Sequence, residues 1–191
     1  MTLNWQSLPL DQLVEELGQG LQCLESRLSK GQHARIRFPR GQIRTVAHYE
    51  KRLSFLHANV TRKNIAYTLQ AADVNRWLVY RFDLGLSAAS AFMKQATITE
   101  VSVMEAILYA DWSQHNSPKH EKPSFIQLIK QAEIAGRITP GLAQKLHEAR
   151  HIRNNIHLYR VDHAERADYD LWTYMDVVHT ESQLVQELGN A

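Results

Sequence analysis

Apolar residues recur along this chain at steps of three and four, and no segment sustains the period-two alternation of a half-buried strand with turn chemistry at both ends. That contrast restricts the fold more than any single motif does. Leu10, Val14, Leu17, Leu21, Leu24 and Leu28 follow alternating steps of four and three, a heptad seam of under three repeats. The seam predicts an N-terminal helix facing a core or a second copy, weakened slightly by Gly18 and Gly20. Pro39 and Gly41 punctuate HARIRFPRGQ, residues 33–42, as a connector. A second helix is expected over 42–57, and a third from Thr61 to Phe82 with Ile65, Leu69, Ala72 and Leu78 or Val79 inward.

Ser87 can open a further helix. Thr97 with Glu100 three residues later has the form of a capping box for ITEVSVMEAILYADWSQ, whose inward face would be Val101, Met104, Ile107, Leu108 and Trp112. NSPKHEKP reads as a polar loop. Ser124 then leads FIQLIKQAEIA, which should stop at Gly136 in a left-handed cap. Thr139 followed by Pro140 predicts an N-cap and first helical position. The last helix is expected over 167–188, with Leu171, Trp172, Met175, Val178, Val185 and Leu188 inward. The expected fold class is all-α, without repeats.

Length suits one domain or a domain with a helical extension. Cys23 is the only cysteine, which leaves neither a disulfide framework nor a cysteine-rich zinc site, and its apolar surroundings suggest a small buried hydrophobe. The start MTLNWQSLPLDQLVEEL lacks a basic segment followed by an apolar block, and no run is long enough to span a membrane, so a cytoplasmic location without membrane contact is expected. Net charge is +2 but unevenly spread. Arg35, Arg37, Arg40, Arg44, Lys51, Arg52 and Arg62 stand against Glu50 alone, whereas acidic residues dominate from Asp162 onward. Such a basic run is either a solvated helix surface or a phosphate-binding face, and Arg35, Arg37, Arg40 and Arg44 are the candidate nucleic-acid contacts.

The stretch HEARHIRNNIH, residues 147–157, admits two active sites. His147, Glu148, His151 and His157 match the zinc-peptidase spacing HExxHxxGxxH, with Asn154 in place of the glycine. Against this stand the absent sheet, the fixed cation Arg150 beside the second histidine, and the helical surroundings of Met175, the one residue available for a Met-turn. The other reading pairs Arg150 with His157. Residues seven apart lie two helical turns on and face the same way, so one face would carry Arg150, Arg153, Asn154 and His157. A plain exposed helix end, where a cation is favoured, has the same appearance.

The flanks weigh toward the second reading. FIQLIKQAEIAGRITPGLAQKLHEARHIRNNIHLYR, with MEAILYADW before it, resembles the HEPN superfamily over roughly residues 90–188. The resemblance implies an antiparallel helical bundle at 87–191, with residues 1–86 as an N-terminal helical region of unknown role. It also implies a metal-independent endoribonuclease of toxin or RNA-processing type, needing no cofactor. His157 would be its general acid or base, Arg150 would stabilise phosphate, and Arg153 and Asn154 would assist. Dependence on a ribose 2'-OH would restrict the substrate to RNA. The family usually forms two-fold dimers with both motif helices lining one cleft. Many relatives without cleavage serve as RNA-binding or assembly modules, the alternative implied here. His157-Leu158-Tyr159 resembles the H-x-Y ending of toxins paired with a nucleotidyltransferase antitoxin, which would make Tyr159 a modification site and the antitoxin a partner.

Overall fold

The computed structural model describes residues 5–28, 41–116, 122–154 and 169–191. Every regular element among them is helical: a 3-10 turn at Trp5–Ser7, then α1 (Leu10–Arg27), α2 (Val46–Arg52), α3 (Asn59–Arg81), α4 (Leu86–His115), α5 (Phe125–Ile134), α6 (Pro140–Asn154) and α7 (Leu171–Asn190). The all-α expectation holds. No helix among the described residues is long and apolar enough to cross a membrane.

The chain divides into two compact units, residues 1–39 and 40–191. The boundary expected between 86 and 87 lies in the first turn of α4, inside the second unit. In the first unit α1 buries none of its residues. Cys23 is accordingly exposed, not buried as its neighbours suggested.

In the second unit one core joins α2 through α7. Tyr49, Leu53 and Leu56 meet Ile65 and Leu69 of α3, Met104, Ile107 and Leu108 of α4, Ile129 of α5, Leu142 and Leu146 of α6, and Leu184 and Leu188 of α7. Local chemistry starts most of these helices. Thr45 caps α2 by accepting from His48 N. Ser124 and Gln127 form a capping box on α5, Thr139 Oγ1 accepts from Leu142 N in α6, and Asp170 accepts from Thr173 N in α7. Gly136 ends the α5 segment at φ 67°, a conformation that costs a side-chain-bearing residue energy.

Three expectations are corrected. Thr97 and Glu100 cap nothing: α4 runs unbroken for 30 residues, with no glycine or proline inside it. Both side chains are buried mid-helix. The last helix begins at Leu171, four residues later than expected, and its first turn is exposed, with Trp172 at 74%. Val178, Val185 and Leu188 face inward as expected, and Tyr174, Val177, Glu181 and Leu184 complete the stripe in place of Leu171 and Trp172. The second helix is also shorter than 42–57, because the chain turns at Leu53 to drop Leu53 and Leu56 into the core.

Candidate functional site

The apolar face of α6 (Leu142, Ala143, Leu146 and Ala149) fastens it to the bundle and leaves the opposite face polar. Arg150, Arg153 and Asn154 occupy its last described turns. Arg150 and Arg153 are half-buried and Asn154 is exposed. Arg153 Nη1 lies 2.8 Å from Glu105 Oε2 of α4. Arg150 Nη2 donates to Nε2 of His151 at 3.0 Å, and its buried Nε has no partner. The Tyr169 hydroxyl donates to the Ile152 carbonyl at 3.2 Å, satisfying one of the acceptors that a helix leaves open at its C-terminus. Lys94 of α4 lies 5.6 Å from the Tyr169 ring centroid.

Among the described residues Arg150 and Arg153 thus share the last turns of α6, with Glu105 paired to Arg153 and Glu148 on the same helix. Burial and then the Arg150 charge hold the His147 imidazole below its ordinary pKa, so it is neutral at pH 7. Beside Glu105 opens a cleft of about 360 Å³, with Tyr109 on its wall and Lys122 at its rim. The Lys122 ammonium is 5.9 Å from the Tyr109 ring centroid. Helix α6 thus brings together Arg150, Arg153 and Asn154 of the expected set. His157 and Tyr159 lie outside the described residues, as do Arg35, Arg37 and Arg40.

Arg44 is placed differently from an open phosphate contact. Its guanidinium forms an ion pair with Asp73, with Nε 2.8 Å from Oδ2, and its backbone N–H donates to the same oxygen at 3.1 Å. For the zinc reading, α6 sets His147 and His151 one turn apart, but the Arg150 guanidinium occupies Nε2 of His151, where a metal would need the lone pair. No group of three or more His, Cys, Asp or Glu is placed to hold a metal among the described residues.

A second charged centre, unforeseen from the sequence, lies inside the bundle between α2, α3, α4 and α7. Arg76 Nη2 is 2.8 Å from Glu100 Oε1, and its Nη1 is 3.5 Å from Asp73 Oδ1. Glu181 is 1% exposed, and its nearest cation, Arg52, is 3.9 Å away. Glu100 Oε2, Glu181 Oε1, the Tyr174 hydroxyl and Thr97 Oγ1 are buried without a hydrogen-bond partner. Burial and then the Glu100 charge push the Glu181 carboxyl up to about 7. Burial likewise raises Glu100 against the pull of Arg76. At Asp73 burial acts upward, but hydrogen bonds from Arg44 and Tyr49 outweigh it and hold the carboxyl below its usual range. The available signal was Glu181 itself, an acid at an inward position of an otherwise apolar helical stripe.

Comparison of the chain with family models, with curated proteins and with solved structures finds no match.

Proposed function

We propose that the C-terminal end of α6 binds an RNA phosphate and that the chain cleaves RNA there without a metal, as the HEPN resemblance implies. The observation that carries this is the unbroken run of α6 to Asn154. It places Arg150 and Asn154 one turn apart with Arg153 beside them, two guanidinium groups on the last described turns of the helix. A guanidinium fork with a free, buried Nε is suited to a tetrahedral oxyanion, and its charge persists at any working pH. Arg153 can exchange one carboxylate oxygen of Glu105 for a phosphate oxygen without leaving its place.

In this reading the ribose 2'-oxygen attacks the adjacent phosphorus and the bond to the 5'-oxygen breaks. One imidazole takes the 2'-OH proton and another group returns a proton to the 5'-oxygen. His157 supplies the first or the second. A two-fold pair of chains, with both motif helices on one cleft, supplies the other from its second copy. Arg150 stabilises the charge that develops on the non-bridging oxygens. The products are a 2',3'-cyclic phosphate and a 5'-hydroxyl.

The half-exposed pairing of Arg153 with Glu105 favours a second reading, in which the same edge binds RNA without cutting it. Incubation of single-stranded RNA with the purified chain in EDTA separates these. Cyclic-phosphate ends that disappear in His157→Ala support cleavage. Retained binding with intact RNA supports the binding module, RNA cleavage seen only without EDTA would mean a metal-dependent nuclease, and EDTA-sensitive proteolysis in a parallel peptide assay would restore the zinc peptidase.

A further inference from the structure

The seam of α1 is the largest regular apolar surface that the RNA reading leaves unused. Leu10, Val14, Leu17 and Leu21 are 77%, 62%, 51% and 39% exposed, and no residue of the helix is buried. An 18-residue helix with Gly18 and Gly20 inside it has little stability of its own in water, since short helices hold chiefly through packing of one apolar face. The surface that covers this face must follow its spacing. Alternating steps of four and three match a partner helix crossing at the shallow angle of a left-handed coil, and a second copy of α1 carries the same repeat.

We infer that α1 pairs with α1 of a second chain as a short parallel coiled coil. Val14, Leu21 and Leu28 then take the first core position of each heptad, and Leu10, Leu17 and Leu24 the second. A β-branched residue among the former with leucine throughout the latter suits two parallel strands. Charge agrees with the direction. Asp11 and Glu25 occupy the same flanking heptad position, so an antiparallel pair would face them across the seam as like charges, whereas a parallel pair sets Glu25 against Gly20. Each buried aliphatic side chain removes roughly 60–120 Å² from water. Six per copy supply about 1,000 Å² in total, near the lower bound for a specific interface. The pairing is accordingly weak and concentration-dependent.

Sedimentation of the full chain between 5 and 200 µM tests this. The wild type should self-associate across that range, and Leu17→Lys should shift the association to at least tenfold higher concentration with the unfolding transition of the bundle unchanged, whether or not the bundles also pair at α6. A Leu17→Cys, Cys23→Ser chain should cross-link to a disulfide dimer on mild oxidation, because like core positions meet only in a parallel pair. A wild type that stays monomeric, or a Leu17→Lys chain that dimerises as the wild type does, would overturn the pairing. Failure to cross-link while the wild type dimerises would overturn its parallel direction. RNA cleavage or its absence bears on neither result.

Discussion

The chain carries two concentrations of charge, and they are built on opposite terms. Inside the bundle the acids Asp73, Glu100 and Glu181 are buried between α2, α3, α4 and α7 and meet Arg44, Arg52 and Arg76, whose side chains stay 40%, 27% and 19% exposed. At the end of α6, Arg153 pairs with Glu105, and the two side chains are 32% and 31% exposed. A buried acid is committed to its cation because separating them strands a charge in a medium of low dielectric. A pair exposed on both sides can trade its carboxylate for another anion at little cost. The interior set therefore serves the fold, and the α6 pair is the one open to exchange.

The sharpest way to break this contrast is to remove an interior cation. Arg76→Met leaves Glu100 and Asp73 without their shared partner, and an isolated buried charge typically costs 3–5 kcal/mol, roughly the loss expected here. Urea unfolding measures it. A loss below about 1 kcal/mol would show that the network is solvated and that the two regions do not differ in kind.

Next in size is the pH response of Glu181. Its folded carboxyl titrates at about 7, well above the ordinary glutamate value near 4.3, so the folded state favours the protonated form. The resulting stability is fully present below about pH 4.3 and is lost as pH rises through 7, a change of about 4 kcal/mol. Glu181→Gln removes that dependence. It should be more stable than wild type at pH 8, with the advantage shrinking toward pH 5 in thermal or urea unfolding. Equal stability at both values would mean that Arg52 compensates the carboxylate fully.

The smallest stability effect belongs to the other region. Glu105→Gln breaks the half-exposed pair with Arg153 and should change stability by under about 1 kcal/mol. It frees a cation on the edge proposed to bind phosphate, so filter binding should show a severalfold gain in affinity for single-stranded RNA with a steeper salt dependence. Unchanged affinity would remove Arg153 from that edge.

What was legible in the sequence follows the range of the interactions. Ser124 with Gln127, Gly136, and Thr139 with Pro140 act within a few residues of themselves, and each sits where it was expected. Thr97 and Glu100 have the same local spelling as a cap, but Arg76, 24 residues from Glu100, turns the acid into an interior ion-pair partner. Trp172 was placed inward on hydrophobicity alone. The register of α7 is instead set by Tyr174 and the positions one turn on, which leaves the first turn hanging past the core. The edge formed by Arg150, Arg153 and Asn154 was legible because it depends only on helical spacing. Its link to Glu105 of α4 was not, because 48 residues separate the partners.

Arg150→Ala tests the division between the two regions most directly, with RNA binding and thermal unfolding measured on the same sample. Arg150 is half-buried, and among the described residues its guanidinium hydrogen-bonds to the neighbouring His151. The expected result is a loss of RNA binding by at least tenfold with an unfolding midpoint within a few degrees of wild type. A chain that unfolds much earlier, or one that binds RNA as the wild type does, would contradict the assignment of this edge to an external phosphate.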